Sequence, residues 1–355
     1  MQKKSIAVLF GGCSGEYNVS LSSAASVIEN LDTEKYNLVL IGITQQGSWL
    51  RYSGTVEDIR NDRWHLHPSC IPSFFSPSRE VRGLIELVHT EYHVTTIDVV
   101  FPVLHGKYGE DGTLQGLLEL SGIPFVGCGM LSSALCMDKE LAHKLVQAAG
   151  IDTPCSLTIH RSERMEEVLS AIEEALGFPL FVKPARSGSS LGISKVNNMQ
   201  ELITGIEHAF IHDSKVVIEQ NINGFEVGCA VLGNSDPIIG MIDEIELQGH
   251  FFDFSEKYSL ISSKIHLPAR IDEDTATKVK ESALTIYKTL GCRGFARVDM
   301  FLTADGRIVF NEVNTIPGFT SNSRYPNMLQ ASGMTYANIL NQLIELAMMR
   351  TESVA

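Results

Sequence analysis

Short apolar runs alternate with helix-like stretches through the first third of this 355-residue chain, and that alternation restricts the fold more than any other feature. Residues 5–10 and 38–43 read as buried strands. A helix from about Ser20 to Leu31 lies between them, with Ser20 as a suitable N-cap. Residues 97–104 form another apolar run, and 114–120 a short helix. A β-α-β order of this kind implies a parallel sheet covered by helices, so the class is α/β, shading into α+β. Residues 51–95, rich in Ser, Pro, Arg and His, read as an irregular insertion or an extra hairpin.

A second unit begins near Cys128. A helix over 138–149 stops at Gly150. Strands follow at 180–184, 215–220, 226–232 and 237–245, with a helix at 198–209. After a long helix at 273–289, strands 294–302 and 307–313 are joined by Ala304-Asp305-Gly306, a turn signal. A helix at 335–348 comes last. Domains run to roughly 100–200 residues, so a chain of this length divides into two or three. The expected units are 1–127, 128–219 and 220–355, the first a parallel α/β domain.

Charge and composition narrow the function. The net charge of −14, from 42 acidic and 28 basic residues, argues against nucleic acid or an anionic membrane as partner. No apolar run reaches the ~18 residues of a membrane span. The apolar start is too short for a signal peptide and runs directly into Gly11-Gly12, which suggests a cytoplasmic protein. Seven scattered cysteines without a C-x-x-C fit reduced thiols better than a disulfide framework or a zinc site.

The chemistry concentrates in a few segments. Strand side chains alternate faces, so Arg297 shares a face with Asp299, and Glu312 with Asn314. If the hairpin aligns them, the oxygen donors suit Mg²⁺, which takes a few carboxylates, water and phosphate oxygens. The plainer reading is a solvated face with ordinary ion pairs. The following Thr315-Ile-Pro-Gly318 offers backbone N–H groups to an oxyanion. Lys183-Pro-Ala-Arg-Ser-Gly188-Ser-Ser-Leu-Gly192 follows a strand and can bring N–H, hydroxyl and ammonium groups to phosphate, though it is not a Walker sequence. Phe10-Gly-Gly-Cys-Ser-Gly15-Glu16 lies at the carboxyl end of the first strand, where open α/β sheets bind ligands. Glu16 there is either a ligand for a substrate ammonium or a surface carboxylate. In His105-Gly-Lys-Tyr-Gly-Glu-Asp-Gly112 the histidine is either functional or structural. The aromatic run 251–258 is a water-excluding lid or a loop anchor.

In this order, over nearly the whole chain, these segments resemble the D-alanine–D-alanine ligase family of the ATP-grasp fold. Met137-Asp-Lys139 and Glu256-Lys-Tyr258 belong to the same set. The resemblance implies ATP and two Mg²⁺ ions, with Mn²⁺ able to substitute, and a homodimer. Lys139 and Lys183 would contact phosphates, helped by Ser190 and Lys257, and Glu219 with Glu226 would hold adenine and ribose. Asp299, Glu312 and Asn314 would bind the metal. Glu16 would take the ammonium of the first D-alanine, with Ser189 and Tyr258 closing the lid on it. Arg297 and Gly318 would form the oxyanion site; His105, Ser323 and Arg324 would face substrate.

Ordinary members often carry Ser-Leu where this chain has Ser323-Arg324. An arginine there resembles the vancomycin-resistance ligases, and the lid Glu256-Lys-Tyr258 resembles their serine-using VanG and VanC types. The implied product is therefore D-alanyl-D-serine, with D-alanyl-D-alanine as the alternative. Arg324 either satisfies a serine hydroxyl or pairs with a carboxylate and shapes its loop. Two other readings compete: an ATP-grasp relative without catalysis, and a different ATP-grasp carboxylate–amine ligase. Intact Arg297, Asp299, Glu312 and Asn314 oppose the first; Glu16 and the lid oppose the second.

Overall fold

The computed structural model describes residues 3–247 and 263–352, and the statements below concern those residues. The first sheet contains β1 (Lys4–Gly11), β2 (Tyr36–Ile43), β3 (Trp49–Tyr52), β4 (Ile71–Phe75), β5 (Gly83–Val88), β6 (Glu91–Thr96) and β7 (Val99–Pro102), in the order β6-β5-β4-β3-β2-β1-β7. Only β2, β1 and β7 are parallel; the remaining pairings are antiparallel. The sheet is thus mixed rather than wholly parallel. Parallel neighbours need a crossover, and α1 (Tyr17–Asn30) supplies one between β1 and β2. Residues 51–95 instead turn back on themselves, adding β4 and the β5–β6 hairpin, with a short α2 (Val56–Arg60) on the way. The apolar run at 97–104 yields the shorter β7.

Ser20 does not cap α1. The helix begins a turn earlier, at Tyr17, and Glu16 occupies the cap position without a capping bond. Ser20 is fully buried. Its Oγ accepts from Gly11 N–H at 2.8 Å and donates to the Val103 carbonyl. A residue type favoured at caps is here spent on fastening the ends of two strands, because tertiary contact overrides local preference.

Helices α3 (Thr113–Ser121), α4 (Met130–Met137) and α5 (Lys139–Ala148) lead to the second sheet. Asp138 caps α5, accepting from Leu141 N–H at 3.2 Å. The second sheet comprises β8 (Ser156–His160), β9 (Leu180–Pro184), β10 (Ser194–Val196) and β11 (Lys215–Gln220), all antiparallel, in the order β10-β9-β11-β8. It is covered by α6 (Met165–Leu176) and α7 (Met199–His212), whose Ile172, Leu202 and Ile206 are buried against Val182 and Val216.

The third sheet has β12 (Gly224–Leu232), β13 (Ile238–Ile239), β14 (Asp243–Leu247), β15 (Ser263–His266), β16 (Phe295–Thr303) and β17 (Ile308–Asn314), ordered β15-β14-β12-β16-β17 with β13 on β12. The strand read at 237–245 is therefore broken in two. Helix α8 (Glu273–Thr289) packs on this sheet, capped by Asp272. Helices α9 (Arg324–Ala331) and α10 (Tyr336–Glu352) follow.

One apolar core joins the first sheet to the C-terminal helices: Val8, Phe10 and Phe101 share it with Phe295, Phe319, Tyr325 and Leu340. Phe319 is central. Its ring lies 6.3 Å from that of Phe101, 5.6 Å from Phe295 and 5.5 Å from Tyr325. The first two are edge-to-face and the third is tilted, and aromatic contacts of this kind add to burial.

Ser20→Ala leaves a buried N–H and a buried C=O without their partner. An unsatisfied buried group costs about 1–3 kcal/mol. Urea unfolding should show a loss of that order, and an unchanged midpoint would mean the hydroxyl contributes nothing.

Candidate active site

Glu16 lies at the carboxyl end of β1, beside two glycine-bearing loops. Its Oε1 accepts a hydrogen bond from Ser189 Oγ, bridging 173 residues of sequence. The fit leaves no room for side chains. A Cβ on Gly106 would stand 2.5 Å from Glu16 Oε2, and one on Gly188 2.8 Å from it. Ser189 and Ser190 both adopt positive φ, +48° and +59°. Left-handed backbone in non-glycine residues is uncommon and collects at functional sites.

His105 is buried and points into the molecule. Its Nδ1 lies 2.8 Å from the Ile316 carbonyl oxygen and its Nε2 3.3 Å from Ser23 Oγ. Burial lowers its pKa although Glu16 opposes this, so the ring is neutral. An acceptor opposite Nδ1 requires Nδ1–H, which leaves Nε2 to accept from Ser23. The Ser23 oxygen in turn accepts from Phe319 N–H at 3.2 Å. Glu110, inside the same motif but given no role by sequence reasoning, accepts from Gly106 N–H at 2.8 Å and from Ile316 N–H at 2.9 Å. Burial pushes its carboxyl up to about 8, and the charge of Glu16 adds to the effect. Gly318 packs closely on Ser323: a Cβ there would meet Ser323 Oγ at 2.9 Å. That oxygen accepts from Thr320 N–H at 2.9 Å.

The hairpin of β16 and β17 aligns as the sequence predicts. Asp299 faces Glu312 and Arg297 faces Asn314 across the pair, with a register shift just after Asp299. Arg297 Nε donates to Asp299 Oδ1 at 2.8 Å and Nη2 to Oδ2 at 2.7 Å; Asn314 Nδ2 adds a bond of 3.0 Å to Oδ2. Arg324 enters from α9. Its Nε and Nη2 each donate to Asp243 at 2.7 Å, and Nη1 donates to Glu226 at 2.8 Å. Its Nη2 is also 3.4 Å from Asp299 Oδ1. Of the two readings of Arg324, the carboxylate-pairing one describes these contacts. Gly228 makes room for it, since a Cβ there would lie 2.3 Å from Arg324 Nη2.

Among the described residues, no three His, Cys, Asp or Glu side chains converge as a wholly protein-built metal site needs. Four carboxylates (Asp299, Glu312, Asp243, Glu226) nevertheless accompany two arginines, Arg297 and Arg324, leaving a formal surplus of two negative charges. Paired oxygen donors with surplus negative charge fit Mg²⁺, which keeps water and phosphate oxygens in its shell.

Next to this face is a cleft of about 670 Å³ between the second and third sheets, lined among others by Lys139, Lys183, Ser190, Glu219, Glu226 and Glu312. Lys183 Nζ is 2.5 Å from Glu219 Oε2, and Lys139 Nζ donates to the Ser187 carbonyl at 2.7 Å. Burial works against the charge on Glu219, but Lys183 outweighs it and holds the pKa below the ordinary carboxylate value. Glu219 Oε1 and His143 Nδ1 face each other at 3.8 Å, and neither has a hydrogen-bond partner. Buried acceptors left without a donor are costly, so this spot suits a ligand N–H or a water.

The structure thus brings Ser189 to Glu16, His105 to the segment that carries Gly318, and Arg297, Asp299, Glu312, Asn314 and Arg324 to the β16–β17 hairpin, with Lys139, Lys183 and Glu219 lining the cleft. Lys257, Tyr258 and the rest of the lid run 251–258 lie outside the described residues. Asp243 was not legible in advance: a single acidic residue in a short strand carries no spacing signal.

Family models described as D-ala D-ala ligase N-terminus and D-ala D-ala ligase C-terminus match residues 5–128 and 145–345. The D-alanine--D-alanine ligase of Caldicellulosiruptor bescii is 46% identical over 351 residues, covering 98% of this chain and 96% of that protein. The vancomycin B-type resistance protein VanB of Enterococcus faecalis is 46% identical over 355 residues, covering 99% and 100%. Among solved structures, the VanG D-Ala:D-Ser ligase of Enterococcus faecalis is similar at a TM-score of 0.91 and 55% identity, covering 98% of this chain and all of that one, 100%. The three sheets accordingly form the ATP-grasp architecture that the sequence motifs imply. With family models matching both halves of the chain and a relative 46% identical over 351 residues, the protein belongs to the D-alanine–D-alanine ligase family of ATP-dependent ligases.

Proposed function

We propose that this ligase joins D-alanine to D-serine, making a cell-wall precursor dipeptide of the kind associated with vancomycin resistance. The observation that carries the reading is the buried Arg324–Asp243 pair beside Ser323. The guanidinium is spent on Asp243 and Glu226, so a serine hydroxyl would be met by the remaining lone pairs of those carboxylates, where an apolar pocket would strand it at a cost. The likeness to a solved structure titled as a D-Ala:D-Ser ligase supports it. D-alanyl-D-alanine is the second reading, favoured by the bacterial relative of that name.

In this reading Glu16 holds the ammonium of D-alanine, and Ser189 fixes that carboxylate's orientation. The D-alanine carboxylate takes the γ-phosphoryl group of ATP, with Lys139 and Lys183 spreading the charge. Glu219 and Glu226 hold the adenosine, and Ser190 the phosphates. Asp299, Glu312 and Asn314 would hold two Mg²⁺ ions, replaceable by Mn²⁺, which would neutralise charge at the phosphates. The neutral amine of the second substrate then attacks the acyl phosphate carbonyl, Arg297 with Gly318 N–H stabilises the oxyanion, and collapse breaks the acyl C–O bond, releasing inorganic phosphate and the amine proton. Ser323 meets the second carboxylate. His105 acts on substrate indirectly, through Ile316 and Ser23. Lys257 and Tyr258 serve the closed lid. The units are 1–127, 128–219 and 220–355, the enzyme works in the cytoplasm, and it forms a homodimer. No described helix is long and apolar enough to cross a membrane.

Phosphate release from ATP with D-alanine fixed and the second amino acid varied, with dipeptides separated, tests the substrate. A higher kcat/KM for D-serine is expected; a clear preference for D-alanine would leave the chemistry and remove the pocket argument. Arg297→Ala should lower kcat by about 10²–10³, the usual loss for one oxyanion donor. Arg324→Leu removes the guanidinium from buried Asp243. Breaking one side of a buried pair costs about 3–5 kcal/mol, so thermal or urea unfolding should register a large loss.

A further inference from the structure

Gly318 is delivered by a loop in which the N–H groups of Ile316, Phe319 and Thr320 are all tied. The N–H of Ile316 goes to Glu110 Oε1 at 2.9 Å and its carbonyl to His105 Nδ1 at 2.8 Å. The N–H of Phe319 goes to Ser23 Oγ at 3.2 Å, and its ring is sunk in the core shared by the first and third sheets. Between these ties stand Pro317, which has no N–H, and Gly318, whose N–H bonds to nothing among the described residues. Between Ile316 and Phe319 the loop therefore presents one backbone donor and spends the other N–H groups on holding itself in place.

Glu110 is the member of this set that no substrate reading uses. It is buried, lies 206 residues from Ile316, and uses both carboxyl oxygens as acceptors for N–H groups on two different loops. The other end of its grip, Gly106, presses on Glu16: a Cβ there would reach Glu16 Oε2 at 2.5 Å. One side chain thus sets both the wall behind the ammonium-binding carboxylate and the start of the oxyanion loop. Glutamine has a single acceptor and would turn an NH₂ toward an N–H; aspartate is one methylene short.

We propose that Glu110 is a positioning residue for amide-bond formation, holding Gly106 and Ile316 so that the Gly318 N–H is aimed at the reacting carbonyl at a fixed distance from Glu16. The proposal rests on the reading of Gly318 and Arg297 as the oxyanion site. It separates the two half-reactions. Transfer of phosphoryl from ATP to D-alanine needs Glu16 only to bind D-alanine, so it is read at saturating D-alanine; beyond that it depends on the lysines and the β16–β17 carboxylates, to which Glu110 makes no hydrogen bond. Attack by the second amine depends on the Gly318 N–H.

Glu110→Gln is compared with the unaltered enzyme in two assays. Positional isotope exchange within ATP, with D-alanine alone, reads phosphoryl transfer; dipeptide formation reads the whole reaction. The expected result is exchange within about threefold of normal while dipeptide kcat falls by about 10²–10³, the loss typical of one oxyanion donor. Glu110→Asp should recover part of it. Equal losses in both assays, or none in either, would overturn the proposal. If neither variant folds, amide hydrogen exchange in the unaltered enzyme decides: Gly106 and Ile316 should be protected like core strands, and rapid exchange at either ends the idea. Should the unaltered enzyme show no D-alanine-dependent exchange in ATP, the ligase reading fails by itself, while amide protection still reports on the clamp.

Discussion

The site depends on the anchoring of the Thr315–Thr320 segment against the apolar core that joins the first sheet to the C-terminal helices. Phe319 supplies the apolar half of that anchor, packed among Phe101, Phe295 and Tyr325. Glu110, His105 and Ser23 supply the polar half, each bonding backbone of the segment. Burial of the ring is non-directional and sets where the loop sits; the hydrogen bonds are directional and set how it faces. Neither alone would fix both position and orientation of a single N–H.

A second constraint is electrostatic. Asp299 is buried with two guanidinium groups at hand, and Asp243 and Glu226 share one of them. Charges removed from water are tolerated only when paired and fully hydrogen-bonded. The Arg297–Asp299 and Arg324–Asp243 pairs meet that condition, which lets a carboxylate-rich face persist before any cation or nucleotide adds its own charge. Gly228 belongs to the same solution, because only a residue without Cβ lets the Arg324 guanidinium reach Asp243.

Much of the framework was readable in the chain. The strand period of two put Arg297 on one face with Asp299, and Glu312 with Asn314, while the register that sets the two pairs opposite each other is seen in the strand pairing itself. Caps at Asp138, Asn198 and Asp272 fall where an oxygen-bearing side chain precedes a helix. Less regular stretches were not readable. The antiparallel extension through residues 51–95 comes from short strands whose pairing is decided by neighbours, and Ser20 looks like a cap yet serves as a strut between β1 and Val103.

The sequence by itself determined the kinds of chemistry available: oxygen donors on one hairpin face, lysines and Gly/Ser loops for phosphate, and a carboxylate at the end of the first strand. These follow from residue type and local period, which need no knowledge of the rest of the chain. Tertiary structure alone decided which distant groups meet. The bond from Ser189 to Glu16, the Glu110 grip on Gly106 and Ile316, and the placing of Arg324 among Asp243, Glu226 and Asp299 each join residues far apart in sequence. Such contacts exist only once loop-closure entropy has been overcome by burial of the shared core, so no local pattern announces them.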